Sequence, residues 1–152
     1  DTEYDFVYEN TVESRKLEAI KYFMNAGYNL NQSLGMVACL LNVSNLNKTG
    51  IEEQTEQNPL GIAGWKNERK LLLKRFSNDW RKFSWQLVFI KYELNSTQAA
   101  ANIRLKRTDT LEKDSSNSCQ RVFGKYYLGF KKDDQFQSVD RLVVGLQTLV
   151  GE

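Results

Sequence analysis

The run Leu34-Gly35-Met36-Val37-Ala38-Cys39-Leu40-Leu41 constrains the fold of this chain more than any other. A helix turns once in about 3.6 residues, so an unbroken apolar run this long is apolar on every face. Such a helix needs neighbours all round. Asn29 and Gln32 stand in front of it at capping-box spacing. These signals predict a helix over 29–42 at the centre of the molecule, with the other elements packed around it. The run is too short to cross a bilayer, which takes about 20 apolar residues, and no other segment comes closer.

The remaining pattern is also helical. Asn10 and Glu13 read as a capping box, followed by a helix with Leu17, Ile20, Phe23 and Met24 on one face and a stop at Gly27. Residues 44–64 break the pattern. They are rich in Asn, Gln, Glu and Gly and contain the sole proline, Pro59. The spacing then predicts a helix over 67–76 and another opened by Asp79, with Trp80, Phe83, Leu87, Ile90 and Leu94 in register. A short helix follows near Thr97. A helix capped by Asp109 and Glu112 bears Leu111, Cys119, Val122, Phe123 and Tyr126. A last helix runs from about Ser138 with Leu142, Val143, Leu146 and Leu149. Alternating period-2 runs are nearly absent. The expectation is an all-α domain of about seven helices over 10–152, with an irregular loop or a small hairpin at 44–64 and an acidic, aromatic arm at 1–9.

At 152 residues the chain is one domain's worth. It has no histidine, which removes Ser-His-Asp and Cys-His catalysis and every His-ligated metal site. No metal or other cofactor is expected. Cys39 and Cys119 read as buried small hydrophobes rather than a disulfide. A formal charge of +2 pulls only weakly on anions. Lys70 and Lys74, one turn apart in a basic segment from Lys66 to Lys82, allow a basic stripe but read more simply as a solvated helix face. Nucleic acid and membrane are not expected partners. The sequence begins at Asp1 with neither Met nor a signal-peptide pattern, as a fragment or processed piece would, and contains no transmembrane segment.

Several segments, in order, resemble the phage tail lysozyme family, itself similar to goose-type lysozymes and lytic transglycosylases. Ala19 to Tyr28 looks like that family's opening helix. Ser33-Leu34-Gly35-Met36-Val37 looks like its apolar helix. Ser44, Leu46 and Asn47 match part of the segment that ends it, and Gly61-Ile62-Ala63-Gly64-Trp65 through Arg69 and Leu72 looks like the turn and helix beyond. Phe83 to Leu94 and Lys125-Tyr126-Tyr127 are similar to later helices, more loosely. The resemblance implies a lysozyme-like helical fold and a sugar-binding cleft.

By this resemblance the family's catalytic glutamate falls on Val43. Valine has no proton to give, and cleavage of a glycosidic bond needs one delivered to the bridging oxygen. Glu52, Glu53 and Glu56, in the adjacent loop, are the fallback acids. They also read as solvated charges, since an exposed carboxylate does not stay protonated near neutral pH. The cleft would be lined by Ser44, Asn45, Asn47, Gly61, Ile62, Gly64, Trp65 and Tyr127. Asn and Gln amides there suit sugar hydroxyls. Trp65 reads equally well as a sugar-facing ring and as a core tryptophan. Glu93 reads as a buried partner for an Arg or Lys. The expectation is a catalytically degenerate domain of a phage tail or tail-like particle, structural or glycan-binding. The alternative is an active muramidase with a relocated acid. Implied partners are peptidoglycan or another N-acetylhexosamine glycan, and other tail or particle proteins. The implied location is the virion tail or a cell-wall-facing one.

Overall fold

The computed structural model describes residues 11–47 and 58–151. Among them are seven helices: α1 (Val12–Asn25), α2 (Leu30–Ser44), α3 (Asn67–Phe76), α4 (Phe83–Leu94), α5 (Ala99–Lys106), α6 (Cys119–Tyr126) and α7 (Asp133–Leu149). The described residues include no strand, and their one β-type pairing is an isolated bridge between Leu60 and Trp65. The fold is the expected all-α domain. The expected arm at 1–9 lies outside the described residues, as does Asn10.

α2 is the axis. The Asn29 side chain accepts from the Gln32 N–H at 2.8 Å, and Gln32 Oε1 accepts from the Asn29 N–H at 3.0 Å. Every residue from Gln32 to Leu41 is buried. α1, α6 and α7 pack against it. Gln32 does more than cap: its amide also donates to the Thr108 carbonyl at 2.9 Å, tying α2 to the chain leaving α5.

The crossing of α2 and α6 is set by Gly35. A Cβ there would lie 2.7 Å from the Gln120 backbone nitrogen and 2.8 Å from the Cys119 Cβ. One turn on, the Cys39 thiol donates to the Gln120 carbonyl at 3.0 Å. Both cysteines are free and buried, and burial raises both thiol pKa values. Gly35→Ala must push two backbones apart inside a packed core. Overpacking of this kind costs about 1–3 kcal/mol. Urea unfolding followed by circular dichroism should show that loss. An unchanged midpoint would mean that the two helices can part at this crossing at little cost.

α7 is joined to α6 through Asp140. Its carboxylate accepts from Arg121 Nη2 at 2.7 Å, from Gln120 Nε2 at 3.0 Å and from the Asp114 N–H at 3.0 Å. Burial pushes this carboxyl up, but Arg121 and the two other donors more than reverse it, and its pKa is below the ordinary value.

Four sequence expectations shift. Thr11, not Asn10, caps α1 among the described residues, and Leu17 and Met24 are exposed, so the buried face is Ala19, Ile20 and Phe23. Trp80 is buried but sits in a turn before α4, so Asp79 does not open that helix. Ser118, not Asp109, caps α6. α7 begins at Asp133, where Gln135 supplies the return bonds to Lys131 and Lys132, well before Ser138.

Candidate functional site

The functional expectations converge where α2 ends. Ser44 is its last residue, and Asn45 and Leu46 follow in the left-handed region with φ of 54° and 60°. Asparagine tolerates that conformation, but a leucine held there is strained. Full burial of Leu46 keeps it in place. Asn45 and Asn47 are exposed.

Facing the helix end is the turn 58–65. It closes through paired backbone bonds, Leu60 N–H to Trp65 O at 3.0 Å and Trp65 N–H to Leu60 O at 2.8 Å. Gly61 and Gly64 both have positive φ, of 79° and 64°. Side chains from three helices hold the turn. Ser44 Oγ donates to the Ile62 carbonyl at 2.7 Å. Gln86 Oε1, on α4, accepts from the Ile62 N–H at 2.9 Å. Lys70 Nζ, on α3, donates to the Asn58 carbonyl at 2.8 Å. Lys70 is therefore a buried clamp and forms no basic stripe with Lys74.

Val43 is half-buried at this junction. A Cβ on Gly64 would lie 3.0 Å from Val43 Cγ1. The side chain at position 43 therefore points at the turn, and what it presents there is a methyl group.

Trp65 and Tyr127 are each only 1% exposed, and neither ring offers a free face to a sugar. Both bond to Glu93, which is completely buried. The Trp65 indole N–H donates to Glu93 Oε1 at 2.9 Å and the Tyr127 hydroxyl to the same oxygen at 2.5 Å. Arg69 adds two bonds of 2.8 Å, Nε to Oε2 and Nη2 to Oε1. It also donates to the Tyr127 carbonyl at 3.0 Å, with its guanidinium 4.6 Å from the centre of that ring. Burial opposes the Arg69 charge, yet Glu93 and Tyr127 more than offset this and its pKa is raised. Burial, and then the Glu93 charge, push the Tyr127 phenol well above its ordinary value. This hub joins the turn, α3, α4 and the end of α6.

Of the residues expected to line a cleft, the structure brings Ser44, Gly61, Ile62, Gly64 and Trp65 together with Val43. Asn45 and Asn47 are at its exposed edge, and Tyr127 is in the hub behind Trp65. Glu52, Glu53 and Glu56 lie outside the described residues. Sequence reasoning missed Gln86. Its signal was available: it is a polar residue on the helical face shared by Phe83, Phe89, Ile90 and Glu93, and a buried amide needs partners. Among the described residues the buried carboxylates are Glu93 and Asp140, and each is committed to an arginine.

A family model described as phage tail lysozyme matches residues 14–140, most of the chain. No curated protein and no solved structure matches it.

Proposed function

Because the chain belongs to the phage tail lysozyme family, we propose that it is a lysozyme-like domain of a phage tail or tail-like particle that has lost glycosidic cleavage and serves as a structural or glycan-binding part. The observation that carries this reading is Val43. It occupies the helix end that faces the glycine turn, and it puts a methyl group there. A general acid contributes about 10²–10⁴ in rate, so its loss leaves little hydrolysis.

The buried acids supply no substitute. Glu93 is completely buried and accepts from a bidentate arginine and two further donors, so it is closed off from any substrate. Asp140 has its pKa pulled down. Both carboxylates are buried and taken up by an arginine. The exposed amides of Asn45 and Asn47, beside the turn, are suited to hydrogen-bond a glycan that is bound and not cut.

The test is a turbidity assay on purified peptidoglycan near neutral pH. The expected result is no clearing above a buffer control over hours. Robust clearing that disappears in Glu52→Gln, Glu53→Gln or Glu56→Gln would show a relocated acid and overturn the reading in favour of an active muramidase.

A further inference from the structure

A second surface of the molecule has the makings of a polymer site. Trp85 and Tyr92 are 37% and 44% exposed on α4. They are seven residues apart on one helix face, a rise of about 10 Å, close to the span of two sugar rings. Between them, half-buried Phe76 from α3 bridges the pair. Its ring centre is 6.0 Å from Trp85 and 5.1 Å from Tyr92. Phe89 backs the patch, 5.3 Å from Phe76 and 6.0 Å from Tyr92. The rings continue inward from Phe89 to buried Trp65 at 5.2 Å. The patch is thus one contiguous aromatic surface on a rigid base.

The segment that carries it is basic. Residues 66–92 contain Lys66, Arg69, Lys70, Lys74, Arg75, Arg81, Lys82 and Lys91 against Glu68 and Asp79. Arg69 and Lys70 are used internally. The other six cations outnumber the two acids by four, twice the net charge of the whole chain. Arg75 precedes Phe76, and Lys82 is one helical turn from Trp85. Lys82 is shared with Asp79 at 3.6 Å, both exposed. Arg75 and Arg81 form no ion pair among the described residues, and Arg81 stacks on Trp80 with its guanidinium 4.2 Å from the ring centre.

We propose that this α3–α4 face binds an anionic glycan strand, with sugar rings on Trp85 and Tyr92 and carboxylates on the flanking Arg75 and Lys82. Flat rings suit the apolar faces of sugars, and the cations make the choice among glycans one of charge. The ligand class follows from the glycan reading above, but the site is separate from Val43 and its turn. A strand held here would keep the domain on a wall polymer without any cleavage.

The experiment is a fluorescence and calorimetric titration of the full chain with soluble, uncrosslinked peptidoglycan strands, alongside neutral chitooligosaccharides and a single-stranded DNA 16-mer. Trp85→Ala with Tyr92→Ala should weaken strand binding about tenfold or more. Arg75→Glu with Lys82→Glu, which leaves the rings in place, should weaken it similarly, and raising salt should mimic that variant. Thermal melts establish that each variant is folded. Unchanged strand binding in both double variants, with loss on Asn45→Ala and Asn47→Ala, would overturn this site and leave the turn as the glycan site. Loss in the ring variants with none in Asn45→Ala and Asn47→Ala would uphold this site and count against the turn. Tighter binding of the DNA than of the strand would overturn the ligand class.

Discussion

Glu93→Ala is expected to destabilise the fold by about 3–5 kcal/mol, the usual cost of stranding one partner of a buried ion pair. Four hydrogen bonds from Arg69, Trp65 and Tyr127 end on this carboxylate. Its removal leaves a guanidinium, an indole N–H and a phenol without their acceptor. For a chain of this size the melting temperature should fall by about 10 °C or more. Glu93→Gln should fall between wild type and alanine, since it keeps one oxygen for the donors that meet at Oε1 but turns an NH₂ toward Arg69 Nε. A loss under about 1 kcal/mol for alanine in urea unfolding would mean that water replaces the carboxylate, and that the hub is not what holds the turn.

The same hub sets an alkaline limit. Tyr127 has a folded pKa well above its unfolded value near 10. A raised folded pKa favours the protonated, folded form. The contribution is complete below pH ~10 and is lost as pH rises beyond it, because only the unfolded chain then releases the proton. Tyr127→Phe should flatten that alkaline limb.

Val43→Glu carries the largest functional effect. The new side chain would start one turn after buried Leu40 and beside Gly64, toward which a Val43 methyl group now points. An apolar site of this kind raises a carboxyl pKa and keeps it protonated. If the acid is all that was lost, peptidoglycan cleavage should rise roughly 10²-fold above background. The substitution should also cost about 1–3 kcal/mol through partial burial of a polar group. Val43→Gln, with the same shape and no proton, is the control and should stay silent. Gly64→Gln, which by family resemblance would restore an amide, is a poor companion: its Cβ would crowd position 43 at 3.0 Å, on a backbone with φ of 64°. A folded, strand-binding Val43→Glu that cuts nothing would show that the site has drifted beyond its acid.

The sequence was most legible where chemistry is local. The reciprocal bonds of Asn29 and Gln32 are between near neighbours, and they placed α2 within two residues of its observed end. α3 is helical over the expected 67–76 because its apolar period and flanking loop agree. α6 was misplaced because Asp109 resembles a cap as well as Ser118 does, and α7 because Lys132 has no side-chain acceptor and so gives no cap signal, while Ser138, inside the helix, does. The hub was half legible. A lone acid within an apolar helix face implies a partner, but nothing local selects Arg69, 24 residues away. The same distance hid the fate of Trp65 and Tyr127, whose polar tips were claimed by Glu93 rather than left to a ligand. The assignment of position 43 rests on resemblance alone, and the orientation of Val43 toward Gly64 is a tertiary fact.

The tight crossing at Gly35 also decides how this chain weathers oxidation. Cys39 and Cys119 are both sealed there, with thiols shifted away from the reactive thiolate. An oxidant that attacks thiolates finds no target while α2 and α6 stay together. Damage therefore begins only when the crossing opens, and a sulfenic acid formed in that moment would be too polar and too large for the helices to close upon. The packing that excludes a single methyl group at Gly35 is thus also the protein's antioxidant, effective for as long as the core does not breathe.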